Sequence, residues 1–251
     1  MSNQNRIPVA ILGCTGSVGQ KFVELLANHT WFEIKELCAS DKSAGKKYKE
    51  AVDWFLSSPI PESVREIMVQ KCEPVLESKV VFSGLDSDVA GDVETKFAKA
   101  GYKVISNSKN HRMDDDVPLL IPEVNPDHLE LINYQQYGSG CIVTNPNCSV
   151  IGLVLALKPL LDNFGLEAVN VVTMQAVSGA GHTRVVNLDI EDNVITYMKG
   201  EEPKVEIEPP EEPESDIVIL ARSRDPADPV KLEISDGLWL SHESDSDPAA
   251  V

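Results

Sequence analysis

The chain has 251 residues, of which 42% are hydrophobic and 25% charged, ordinary values for a globular protein with room for a sizeable core. It holds 40 acidic and 22 basic residues, a net charge of −18, which argues against nucleic acid or an anionic membrane surface as partner. The acid is uneven: residues 201–251 carry 15 acidic and 4 basic side chains, the rest of the chain 25 and 18. The opening MSNQNRIPVAILG lacks the apolar run of a signal peptide, and no stretch is long enough to span a bilayer. Five cysteines, an odd number without a CxxC pair, fit reduced thiols in the cytoplasm.

In chain order, IPVAILG reads as a strand and CTGSVGQKFVELLANH as a helix, with apolar positions at Val18, Phe22, Leu25 and Leu26. WFEIKELCAS is a second strand and KVVFSGLD a third. AGDVETKFAKAG is a helix closed by Gly101. YKVISNS and CIVTNP are further strands, and a long apolar helix follows Cys148. Strands alternating with helices predict a doubly wound, Rossmann-like parallel α/β sheet. Beyond residue 165, LEAVNVVTMQAVSGAG is extended and VVNLDIEDNVITYMKG helical. EEPKVEIEPPEEPESD has the Glu and Pro content of an exposed linker. DIVILARS and VKLEISDGLWLSH supply two last strands, and ESDSDPAAV a loose acidic tail.

Gly13-Cys14-Thr15-Gly16-Ser17-Val18-Gly19 lies in the first strand–helix turn. Glycines there allow a tight turn and leave helix N–H groups facing a phosphate. The GxxGxxG spacing differs from the commoner GxGxxG, so its position in a βα unit carries the inference. The competing reading is a glycine-rich turn without a ligand. After the second strand, Ser40, Lys42, Ser43, Lys46 and Lys47 collect hydroxyls and positive charge where an NAD site usually ends in an acid. That pattern suits a 2′-phosphate and points to NADP, with a solvated basic loop as the alternative.

Cys148 stands in Asn145-Pro146-Asn147-Cys148 at the start of a helix, where the macrodipole favours a thiolate. Cys14, Cys38, Cys72 and Cys141 read as structural thiols. TMQAVSGAG, Thr173 to Gly181, runs a strand into a small-residue loop with Gln175 at its entrance. No residue set reads as a metal site.

Together GCTGSVGQKF, CASDKSAGKKY, SNSKNHRMDDDVPLLIPEVNPDHLELI, GCIVTNPNCSVIGLVLALKPL and TMQAVSGAG resemble the archaeal and fungal branch of the aspartate-β-semialdehyde dehydrogenase family, over roughly residues 7 to 205. The resemblance implies an NADP-dependent, reversible conversion of aspartate semialdehyde and phosphate into aspartyl phosphate through a cysteine thioester, a step in the making of lysine, methionine and threonine. It implies Cys148 as nucleophile with Asn147 beside it, and Gln175 orienting the acyl group. Arg112 would hold phosphate with Asn110 nearby, a task suited to a guanidinium. Glu201 and Lys204 would meet the substrate amine and the phosphate. Gly13, Thr15, Gly16, Ser17, Val18 and Gly19 would cradle the pyrophosphate, and Ser178, Gly179 and Gly181 would lie near the nicotinamide. The family forms dimers or tetramers.

Some features depart from the family. His182-Thr183-Arg184 follows the SGAG loop in place of Tyr-Pro-Gly, and the family's RVPVxxGH-like pattern, source of its substrate Arg and its His acid/base, is not found. Arg222, Arg224 and His242 lack its spacing, and His182 is a weak substitute. The expected organisation is an NADP-binding domain over 1–147, the start of a catalytic domain over 148–205 and an atypical acidic segment over 206–251. The second, α+β substrate and dimerisation domain is then incomplete. Two alternatives stay open: an acyl-CoA reductase such as malonyl-CoA reductase on the same scaffold, and a catalytically impaired or truncated NADP-binding paralogue.

Overall fold

The computed structural model describes residues 6–146 and 148–174, with the strand segments 216–223, 233–234 and 238–239. The chain divides into two units, Met1–Asn145 and Pro146–Val251. The expected helix over 185–200, the Glu- and Pro-rich stretch before Asp216 and the acidic tail lie outside the described residues.

In the first unit β1 (Ile7–Leu12) is apolar throughout and its last four residues are fully buried, as a central parallel strand requires. Helix α1 (Ser17–Leu26) returns over the sheet through Gly19, Gln20, Val23 and Leu26. Strand β2 (Phe32–Ala39), the short helices α2 (Tyr48–Ala51) and α3 (Glu62–Arg65), and the three-residue β3 (Val69–Lys71) complete one half. Strand β4 (Val80–Ser83), helix α4 (Ser87–Lys99), β5 (Lys103–Ser106) and β6 (Cys141–Thr144) form the other. Gly101, at φ +84°, ends the α4 turn as the sequence predicts.

The six strands pair in the order β3-β2-β1-β4-β5-β6, parallel at every step. The chain therefore reverses direction beside β1, and the crevice at the carboxyl ends of β1 and β4 is where such sheets take their ligands. One apolar cluster, with Val9, Ile11, Val23, Leu37 and Tyr48, covers one face; another, with Leu12, Val81, Phe97, Tyr102 and Ile142, covers the other. This is the doubly wound sheet expected from the alternation of strands and helices.

In the second unit α5 (Cys148–Phe164) buries Val150, Leu153, Val154, Ala156 and Leu160, a 3.6-residue periodicity. Strand β7 (Leu166–Met174) pairs antiparallel with β8 (Asp216–Ser223), and β9 (Glu233–Ile234) with β10 (Leu238–Trp239).

Candidate functional site

The turn from β1 into α1 is shaped by close backbone packing. Gly13 has φ +75°, and a Cβ there would lie 2.7 Å from the Gly84 carbonyl oxygen. A Cβ at Gly19 would overlap the Gly13 carbonyl. Side chains from elsewhere pin the same turn: the Tyr48 hydroxyl donates to the Cys14 carbonyl at 2.9 Å, and the buried Gln20 amide donates to the Thr15 and Asp53 carbonyls at 3.0 and 2.9 Å. Gly16, the N-cap of α1, brings no side-chain cap, so the first-turn N–H groups remain directed at whatever the turn holds.

Above this turn lies a cavity of about 390 Å³. Gly13, Thr15 and Gly16 line it from the turn, Ala39 at the end of β2 with Ser40 and Asp41 just beyond, and Lys71 at the end of β3 with Cys72 and Glu73 just beyond. Gly84, Leu85 and Asp86 close the β4 side, with Val89 and Val93 of α4 as an apolar wall. An uncapped helix start, a backbone too close for any side chain and an adjoining cavity that reaches the ends of β2 and β3 fit a dinucleotide pyrophosphate and its adenosine arm. Ser17, Val18 and Gly19 form the first turn of α1 beneath the cavity. Lys42 and Ser43 are not among the lining residues. Lys47 ion-pairs with Glu66 at 2.8 Å, and Lys49 with the same carboxylate. Those two contacts hold the Glu66 carboxyl down, at about 2.

The loop after β5 carries Asn110 and Arg112. The Ser108 hydroxyl donates to Asn110 Oδ1 at 2.6 Å and the Asn110 amide donates to the Ser87 carbonyl at 2.9 Å. Half-buried Arg112 donates to the Asn107 carbonyl at 3.2 Å, and Asn145 donates to Asn107 Oδ1 at 2.9 Å. Behind the loop sits Glu94, fully buried on α4. Its Oε1 accepts from Ser83 at 2.5 Å and Ser106 at 2.8 Å, and its Oε2 lies 3.9 Å from His111 Nε2. Burial holds the Glu94 carboxyl above the ordinary range, opposed by the two hydroxyls and by His111. His111 also meets Asp114 at 2.7 Å through Nδ1. The sequence reading passed over Gln20, Asp41, Lys71 and Glu94; only Asp41, an acid just past the second strand, carried a sequence signal.

In the second unit, Cys148 is the first residue of α5 and is exposed. Cys14 and Cys38 are buried, and desolvation pushes both thiols far up; Cys72 and Cys141 are raised for the same reason. Asn147, Gln175, Ser178, Gly179, Gly181, Glu201 and Lys204 lie outside the described residues. Among the described residues there is no grouping able to hold a metal ion, and no helix is long and apolar enough to cross a membrane.

Two family models match the chain: "Semialdehyde dehydrogenase, NAD binding domain" over residues 8–132 and "Semialdehyde dehydrogenase, dimerisation domain" over residues 157–216. The aspartate-semialdehyde dehydrogenase of Archaeoglobus fulgidus is 52% identical over 208 residues, 81% of this chain and 60% of that protein. That of Cryptococcus neoformans is 51% identical over 217 residues, 83% of this chain and 60% of its own. The chain belongs to the semialdehyde dehydrogenase family. It spans about 60% of the length of these relatives. Among solved structures, the Candida albicans aspartate semialdehyde dehydrogenase with NADP is 45% identical at TM-score 0.70, covering 78% of this chain and 57% of that one. The aspartate semialdehyde dehydrogenase II of Vibrio cholerae complexed with ASA is 32% identical at TM-score 0.57, covering 71% of this chain and 49% of that one. The fold class read from the sequence and the family resemblance agree with these matches.

Proposed function

We propose that this chain carries out the NADP-dependent, reversible conversion of L-aspartate 4-semialdehyde and phosphate into L-aspartyl 4-phosphate through a thioester on Cys148. The observation that carries the reading is an exposed cysteine opening a helix in a chain whose nucleotide domain has the family's glycine turn and cleft. The roughly 50% identity to relatives named aspartate-semialdehyde dehydrogenase supports the substrate.

Gly13, Thr15, Gly16, Ser17, Val18 and Gly19 would hold the pyrophosphate, Ser40 the adenosine ribose end, and Ser178, Gly179 and Gly181 the nicotinamide side. Bound NADP would supply the hydride acceptor. Cys148 would attack the aldehyde carbon as thiolate, its charge favoured by the helix start. Asn147 and Gln175 would orient the acyl oxygen. Arg112, with Asn110, would hold phosphate for attack on the thioester, which releases the Cys148 thiolate. Glu201 would meet the substrate amine and Lys204 the phosphate. Arg112 already donates at the rim of β5, and a bidentate guanidinium matches an oxyanion better than a point charge does.

The same reading takes 1–147 as the nucleotide domain, 148–205 as the start of the catalytic domain and 206–251 as an acidic extension. It assigns the chain to the cytoplasm, and, where the substrate domain is complete, to a homodimer or homotetramer. The test is reduction of NADP by the full chain with aspartate semialdehyde. Turnover that requires phosphate and vanishes in Cys148→Ala supports the proposal. Turnover independent of phosphate, or unchanged in that variant, refutes it.

A further inference from the structure

Asp41 and Lys71 both line the cavity and pair with each other. Asp41 lies two residues beyond the end of β2, and Lys71 ends β3, where it stands opposite Ala39 in the parallel register. Lys71 Nζ approaches Asp41 Oδ1 to 3.1 Å. The next residue fixes that placement: the Cys72 thiol donates to the Ala39 carbonyl at 3.7 Å.

The orientation of a bound dinucleotide follows from the rest of the cleft. Its pyrophosphate belongs over the Gly13–Gly16 turn, so its adenosine ribose reaches the end of β2. At that point an acid accepts from the ribose hydroxyls of NAD, whereas a nearby cation accommodates the 2′-phosphate of NADP. This cavity offers both. Among the described residues that line it, Lys71 is the single cation, against Asp41, Glu73 and Asp86. Of the lysines in the loop that follows β2, none lines the cavity.

We propose that the Asp41–Lys71 pair sets the choice of dinucleotide. Lys71 leaves Asp41 to take a 2′-phosphate, and Asp41 takes the ribose hydroxyls when that phosphate is absent, so one site accepts both NADP and NAD. The inference rests on the dinucleotide reading of the cleft and adds the residues that discriminate. The pair is exposed, 53% at Lys71 and 78% at Asp41, so exchanging its partner for a phosphate requires no rearrangement of the core.

The test is isothermal titration of the full chain with NADP and with NAD, without turnover. The chain is expected to bind both. Lys71→Met should weaken NADP about tenfold, the range of one charge-assisted hydrogen bond, and change NAD by less than about threefold. Asp41→Asn should strengthen NADP and weaken NAD, each by about threefold. If the chain binds dinucleotide but Lys71→Met weakens both equally or neither, or if NAD does not bind, the pair does not discriminate and this inference fails alone. If a folded chain binds neither dinucleotide, the reading of the cleft fails with it.

Discussion

The Ser106 hydroxyl at the end of β5 donates to Glu94 Oε1 at 2.8 Å, tying α4 to the loop that carries Asn110 and Arg112. The carboxyl is buried, and its Oε2 has no hydrogen-bond partner among the described residues. Burial raises its pKa above the ordinary 4.5, so the folded state holds the proton more tightly than the unfolded chain. The stability this contributes is fully present below about 4.5 and is lost as pH rises through the folded value. Glu94→Gln, always neutral, removes the dependence. Urea denaturation over that window should show the variant gaining on the native chain as pH rises; parallel curves for the two would contradict it. Glu94→Ala leaves both serine hydroxyls without their acceptor, at a cost of about 2–3 kcal/mol.

Gly19→Ala should cost about 1–3 kcal/mol, because the added methyl meets the Gly13 carbonyl and the turn must open. The same opening displaces the cradle, so NADP affinity should fall more than for Gly16→Ala, whose Cβ has only the Gly13 carbonyl within 4 Å, at 3.5 Å. Titration of both variants checks this, and equal losses would contradict it.

The six strands of the first unit show how far local pattern reaches. β1, β2, β4, β5 and β6 are legible from the apolar, β-branched and aromatic residues they concentrate. β3 was missed: Val-Gln-Lys is a strand only by its pairing with Leu37, Cys38 and Ala39. Pairing across strands is likewise what places Lys71 beside Asp41. Glu94 reads in sequence as one more acid on a helix, and only the fold sets it against Ser83 and Ser106. The glycine turn and Cys148 were visible because their chemistry depends on local backbone, a tight turn and a helix start. Lys47 reads in sequence as part of a basic loop, and only the fold sets it against Glu66, nineteen residues away in sequence.

Thiol labelling should separate Cys148 from the other four cysteines. Cys14 and Cys38 are buried, and desolvation raises Cys72 and Cys141 as well. One equivalent of iodoacetamide at neutral pH should therefore modify Cys148 first. Peptide mapping that finds Cys72 or Cys141 modified as early would contradict the assignment.

A net charge of −18 makes the compact state repel itself. Added KCl shortens the reach of that repulsion to about 3 Å at 1 M, so the thermal midpoint should rise with salt. A midpoint that falls steadily with KCl would show that attractive surface pairs such as Lys47–Glu66 outweigh the repulsion.

The central claim is a covalent acyl group on Cys148. The most direct measurement is the intact mass of the full chain after incubation with aspartate semialdehyde and NADP in the absence of phosphate, followed by peptide mapping. The account predicts one aspartyl adduct, located on Cys148, discharged when phosphate is added and absent from Cys148→Ala. An adduct that persists in that variant, or turnover with no adduct at any cysteine, would contradict it.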